Sequence, residues 1–199
     1  MIKTVKFVLA ATAVATLVAC GGGDGTTVST ENNPLKKYEG TYYICDGHTK
    51  ETVTVTATGS NAVNLTNVEE IYNNTNCSGS VVGTFRLPQP VTATYLNQTT
   101  ANFPPVTILP NADTVDRVNL SSPAMTAQLT GTGVSGSCVT YTGGNVCYNN
   151  INLSALNETG AAYLSGNYLI TFNLVNGVLE AEGIYSKDAT FNFNMLVAD

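Results

Sequence analysis

Thr52-Val53-Thr54-Val55-Thr56-Ala57-Thr58 is the stretch on which the fold turns. Val53, Val55 and Ala57 share one side of an extended chain and the threonines share the other. A period of two built from β-branched residues is the pattern of a half-buried strand. Phe191, Phe193, Met195 and Val197 alternate in the same way with Asn192, Asn194 and Leu196, so a second strand is expected at the C-terminal end. Tyr168, Ile170, Phe172 and Leu174 fall on one side of a third extended segment. Asn176-Gly177 then precedes Val178-Leu179-Glu180-Ala181, and Asn-Gly between two apolar runs supplies the positive φ angles of a tight hairpin turn.

Further strand-like segments lie at 40–45, 81–87, 91–96, 105–109, 116–120 and 125–130, and in the two arms around Gly143-Gly144. They recur about every ten to twelve residues with turn residues between them, the spacing of antiparallel sandwiches and barrels. Thr66-Asn67-Val68-Glu69 has the form of a helix capping box, but Asn73-Asn74 ends the apolar stripe within two turns, so the segment reads as a strand or a single turn. The expectation is one all-β domain over 38–199, an antiparallel barrel or a sandwich.

Composition narrows the function. The chain has 199 residues, 43% hydrophobic and 11% charged, with a formal charge of −6. Phosphate binding relies on clustered cations, so a nucleic-acid partner is not expected. Asn, Thr and Gly abundance points instead to uncharged, hydrogen-bonding sheet faces suited to carbohydrate or protein contact, or simply to solubility.

The N-terminal residues carry an address. Lys3 and Lys6 precede an uninterrupted apolar run from Phe7 to Val18. As a helix this run spans only about 18 Å at 1.5 Å per residue, short of the hydrocarbon core of about 30 Å, and it has the layout of a secretory signal. Leu17-Val18-Ala19-Cys20 resembles the lipobox of bacterial lipoproteins. That resemblance implies cleavage after residue 19 and acylation of Cys20, with palmitate-class chains as the membrane anchor. Gly21, being other than Asp, implies the outer membrane. Residues 20–37 are small and polar and read as a flexible tether. Loss of Lys3 and Lys6 takes the formal charge from −6 to −8, so the body should stand off anionic headgroups.

With Cys20 acylated, Cys45, Cys77, Cys138 and Cys147 remain, an even number in a chain sent to an oxidising compartment. Four cysteines allow three connectivities. Locality favours Cys138 with Cys147 across a hairpin, which leaves Cys45 for Cys77. Neither pair has the spacing of a zinc knuckle or a C-x-x-C redox motif.

The strand 38–45, with Tyr72, Cys77-Ser78-Gly79 and Thr92-Ala93-Thr94-Tyr95, resembles a pattern in uncharacterised bacterial secreted lipoproteins. Gly40-Thr41-Tyr42 is also similar to the Gly-x-Trp first strand of lipocalins, with Tyr in place of Trp, which tilts the architecture toward a barrel over a sandwich. Lipocalins pair that Trp with a basic side chain from the last strand. The expected final strand has none, and Lys187 just precedes it.

Chemistry-bearing residues are sparse. His48 is the sole histidine, in a turn where a solvated loop role is the ordinary one. There is no G-x-S-x-G elbow. Gly131-Thr132-Gly133-Val134-Ser135-Gly136 matches G-x-G-x-x-G but lacks the strand-to-helix setting and reads as a loop. Glu69-Glu70 and Asp113 with Asp116 are close acidic pairs, and Glu180 with Glu182 would share one strand face, a spacing that suits a glycosidase-like carboxylate pair, though a solvated face is the simpler reading. Asn111, Asp113 and Asp116 lack the full loop of a calcium site. No catalytic residue, metal or cofactor is assigned. Two readings follow: a lipid-anchored, non-catalytic interaction or structural module facing envelope protein or polysaccharide, and a lipocalin-like carrier of a small hydrophobic ligand.

Overall fold

The computed structural model describes residues 32–103 and 109–196. The expected signal, Cys20, most of the expected strand at 105–109 and residues 197–199 lie outside the described residues. The described residues are mostly β-strand. Its strands are β1 (Gly40–Asp46), β2 (Thr49–Thr58), β3 (Ala62–Asn74), β4 (Ser78–Arg86), β5 (Val91–Asn102), β6 (Ala112–Ser122), β7 (Met125–Thr126) and β8 (Gln128–Thr130). There follow β9 (Val134–Ser135), β10 (Cys138–Tyr141), β11 (Gly144–Cys147), β12 (Asn152–Leu153), β13 (Leu156–Ser165), β14 (Tyr168–Val175) and β15 (Val178–Ser186).

The principal sheet runs β2-β1-β15-β14-β13-β6-β5-β3-β4-β8, with β2 also paired to β3. Neighbours are antiparallel throughout. The 13-residue β3 makes this possible. It pairs with β2 along Ala62 to Ile71, with β5 at Ala62 to Leu65, and with β4 from Val68 to Asn74. The segment that began as a candidate capping box lies in the middle of this strand. Asn176 (φ 51°) and Gly177 (φ 81°) turn β14 into β15, as the Asn-Gly signal required.

Both disulfides join the expected partners. Cys138 and Cys147 stand directly opposite in β10 and β11, Cα atoms 4.0 Å apart, around a turn at Thr142-Gly143. Cys45 joins Cys77 across 6.0 Å between Cα atoms and 32 residues of chain. Val139, fully buried on β10, presses so closely on Gly83 of β4 that any Cβ there would collide with its methyl groups.

The sheet is buried on two faces. Tyr42, Val55, Val63, Ala93, Val118, Leu169 and Tyr185 form the core of the first face. Val53 and Ala57 pack against them, while the alternating threonines point the other way. On the second face, Val115, Ala161, Ile170, Phe172 and Ile184 pack under Phe103 and Phe191. Two-sided burial explains why Leu169 and Ile170 are both apolar in β14, because successive side chains enter different cores.

The chain N-terminal to β1 is part of the body. Asn33, Leu35 and Tyr38 are buried, so the segment read as tether up to residue 37 is packed from Asn33 onward. Asn33 Nδ2 donates to the Gly59 and Ala62 carbonyls, and Leu35 and Tyr38 join the first-face core. The Tyr38 hydroxyl donates to Asp116 Oδ2 at 2.6 Å and to the Ala162 carbonyl at 2.9 Å. Lys37 Nζ lies 2.6 Å from the same carboxylate, and Gln98 donates to its other oxygen. Burial works against the charge of Asp116, but Lys37, Tyr38 and Gln98 outweigh it and hold the carboxyl below its ordinary range.

One expected strand is absent. Residues 191–197 alternate as a strand would, yet Phe193–Leu196 is a 3₁₀ turn and only Asn192 makes a β-bridge, parallel to Cys45. Alternation by itself supplies no ladder partner, and local hydrogen bonds bend the chain. Asp188 accepts from Thr190, and the Asn192 side chain accepts from Asn194 N while donating to Asn76. Phe191 is thereby delivered to the second-face core rather than to a sheet edge.

Leu35→Ala is expected to cost about 2–4 kcal/mol through the cavity it leaves. Tyr38→Phe is expected to cost about 1–3 kcal/mol by removing a donor from a buried carboxylate. Urea denaturation measures both, and a Leu35→Ala variant as stable as wild type would show that 33–38 is not part of the folded body.

Candidate functional site

The polar group that sequence reading missed lies on the first face. Glu51 shares the parity of Val53, Val55 and Ala57, and Glu69 that of Val63, Leu65 and Ile71. The β2–β3 register sets Glu51 directly opposite Glu69. Glu51 bonds to the Asn67 amide and accepts from the Tyr185 hydroxyl at 3.2 Å. Glu69 accepts from the Tyr148 hydroxyl at 2.9 Å, and the Tyr148 ring stacks on Phe85 at 4.5 Å. The signal was present, since each glutamate interrupts an apolar face at the correct period, but only the register shows that the two interruptions coincide.

Facing like charges in a low-dielectric setting titrate apart. Burial first, and then the Glu69 charge, push the Glu51 carboxyl up to about 7, while bonds from Asn67 and Tyr185 pull the other way. Burial also raises Glu69, against the Tyr148 bond. Glu182 is raised by burial and by Glu158, and its charge adds to the load on Glu51. The Tyr185 and Tyr148 phenols are pushed far up by burial and by these same carboxylates, so they serve as donors. The Asn67 Oδ1 is buried without a partner.

The residues singled out from sequence do not converge. His48 lies half-buried in the turn between β1 and β2, its Nδ1 3.1 Å from the Tyr72 carbonyl and its ring stacked on Tyr141 at 4.0 Å. Glu180 is exposed and Glu182 half-buried, and a β-bulge inserts Glu182 between Ala181 and Gly183, so strict alternation between the two acids is broken. Asp113 accepts from Tyr163 at 2.7 Å toward the second-face core, whereas Asp116 faces Tyr38 in the first-face core. Glu69 and Glu70, being adjacent in β3, point to opposite faces. The Gly131–Gly136 segment is a turn leading into β9. Among the described residues no three His, Cys, Asp or Glu side chains gather closely enough to hold a metal ion, and no helix is long and apolar enough to cross a membrane.

An open depression of about 600 Å³ lies on the outside of β1 and β2, lined by Cys45, Lys50, Asn76, Cys77, Thr190 and Asn192 among others. Lys50 Nζ sits 4.9 Å from the centre of the Tyr43 ring at this surface. Its wall combines the Cys45–Cys77 disulfide and the Lys50 ammonium with the amides of Asn76, Asn192 and Asn194 and the Thr190 hydroxyl, groups that can hold a ligand by hydrogen bonds. No family model, curated protein or solved structure matches the chain.

The glutamate pair predicts the pH dependence of stability. The unfolded chain releases the Glu51 proton near 4.5 and the folded chain near 7, so folding takes up a proton between these values and stability falls as pH rises through that window. Wild type should lose about 2 kcal/mol between about pH 5 and about pH 8. Glu51→Gln, which carries no charge, should flatten the slope and raise the melting temperature at the alkaline end. Parallel thermal melts check this, and an unchanged slope in the variant would remove Glu51 as the cause.

Proposed function

We propose that this protein is a lipid-anchored, non-catalytic interaction module of the bacterial cell envelope whose body is a closed, lipocalin-like antiparallel barrel. Closure is supported by the ring of pairings β1-β2-β3-β5-β6-β13-β14-β15, which returns to β1 through Tyr43 opposite Ser186. Side chains from all eight strands meet in the first-face core, as the interior of such a barrel demands. The lipocalin likeness gains a second element. β15 ends at Ser186, and the Lys187 that follows it lies with its Nζ 5.4 Å from the centre of the Tyr42 ring, the place a lipocalin gives to its basic partner.

The observation that carries the choice of module over carrier is the filling of that interior. Tyr42, Leu169 and Tyr185 are 0%, 3% and 8% exposed, and Leu35 and Tyr38 plug one end at 1% and 3%. A carrier needs that volume for its ligand. The Lys187–Tyr42 pair is the one feature that speaks for the carrier reading, and it concerns fold rather than cargo.

Anchoring at Cys20 gives the body an orientation. About 13 residues separate Cys20 from Asn33, a coil of about 20 Å. The plugged end therefore sits toward the bilayer, with the β14–β15 turn at the far end. Gly21 after the acylated cysteine favours an anchor in the outer membrane.

Two measurements test the reading. Wild-type cells grown with an alkyne palmitate analogue should yield labelled protein in the outer-membrane fraction and Cys20→Ser cells none. Label on the variant, or none on wild type, would sink the anchor. For closure, cross-strand nuclear Overhauser contacts should link Tyr43 with Ser186, Leu65 with Val91 and Ala57 with Val63. The last two without the first would mean an open sheet.

A further inference from the structure

The threonines that fixed the reading of β2 belong to a larger array. Register places Thr41, Thr54 and Thr66 side by side across β1, β2 and β3. One step along, Thr56, Asn64, Thr92, Ser121 and Asn157 form a row across β2, β3, β5, β6 and β13. A further step gives Thr58, Ala62, Thr94, Asn119 and Thr159 across the same five strands. Directly opposed residues point the same way, and these alternate with the first-face core, so all three rows lie on the outside.

No residue of the array is charged, and all but Ala62 carry a hydroxyl or amide. Charge begins at its margin, with the Glu39 carboxylate accepting from Ala57 N between Thr56 and Thr58, Arg117 one step beyond Asn119 on the same face of β6, Arg86 opposite Val68 and Lys50 opposite Glu70. Strands about 4.8 Å apart make each five-residue row about 19 Å long, and the three rows together span about 13 Å along the strands. Several of the side chains hold one another: Thr41 and Thr54 hydroxyls at 3.3 Å, Thr92 to Asn64 at 3.0 Å, and Asn119 to Asn157 at 3.0 Å. Their rotamers are restricted before any partner arrives, which lowers the entropic cost of binding.

Resting on the reading of the chain as an interaction module, we propose that this wall is the docking surface and that its partner is a neutral polysaccharide. Charge decides the class. A polyanion would find no cation in the rows and a formal charge of −6 behind them. A protein partner would look for aromatic or Arg anchors, and the rows contain neither. A chain of neutral sugars offers hydroxyls in series, each donor and acceptor, to side chains with the same double capacity. The threonine methyls offer apolar contact to the C–H faces of the rings. Each exchange of water for sugar is nearly neutral, so single-chain affinity is low and the polymer binds through many contacts at once.

The test uses the full-length protein in detergent micelles, immobilised for surface plasmon resonance. Cellohexaose and an N-acetylglucosamine hexamer are the neutral probes, and a galacturonate hexamer is the charged control. At least one neutral hexamer should bind with a dissociation constant near the millimolar range, and the galacturonate at least tenfold more weakly. Thr92→Glu, at the centre of the array, should weaken the neutral probe tenfold or more. Thr66→Val, which keeps the β-branched shape at an exposed site, should weaken it two- to threefold and guards against misfolding of the first variant. Absence of neutral binding, or stronger galacturonate binding, overturns the proposal. Self-association of wild type that Thr92→Glu abolishes overturns it in favour of a second copy of the chain. Palmitate labelling at Cys20 is scored on the same preparation: label without sugar binding defeats the wall and leaves the anchored module, whereas its absence defeats the anchor whatever the wall binds.

Discussion

Ten consecutive pairs hold β2 against β3, from Thr49 opposite Ile71 to Thr58 opposite Ala62. The rest of the molecule is arranged around that register. Because side chains alternate with a period of two, a slip of one residue would expel Val53, Val55 and Val63 from the core and drive threonines into it. The same register puts Glu51 against Glu69 on one face and Thr54 against Thr66 on the other. Core, carboxylate pair and polar wall are three consequences of one alignment, and the Asn64–Thr92 contact carries it across to β5.

Polar groups buried on the first face are handled in two ways. Asp116 is surrounded by donors and stays charged, and those donors tie the N-terminal segment to the sheet. Glu51 and Glu69 have hydroxyl and amide donors and no ion-pair partner among the described residues, so burial raises both carboxyls and the Glu69 charge raises Glu51 further. The first arrangement fixes a chain end. The second leaves one part of the interior sensitive to pH.

The two disulfides act at the periphery of this frame. Cys45–Cys77 ties β1 to the turn before β4, where Asn76 and Cys77 both have positive φ. Cys138–Cys147 stiffens a hairpin whose Val139 fills the space left by Gly83 and whose Tyr141 covers His48. In a core without Trp, closing these loops restricts the unfolded chain at the turn before β4 and in a hairpin outside the main sheet.

Local pattern by itself determined the all-β class, the β14–β15 turn, the facing of Val53, Val55 and Ala57, and the hairpin disulfide. Each depends on neighbours within a few residues, where side-chain period and turn preference act directly. Tertiary structure decided the rest. The alternation of 191–197 found no ladder partner and folded into a 3₁₀ turn, and Asn33, Leu35 and Lys37, read as tether, joined the body beside Tyr38, where Lys37 and Tyr38 bind a buried carboxylate 78 residues beyond Tyr38. Opposition of Glu51 to Glu69, and the assembly of threonines from separate strands into one wall, required the pairing of β3 with β2 and β5. Which strands pair is set by burying surface contributed from distant parts of the chain, and no short window of sequence contains that free energy.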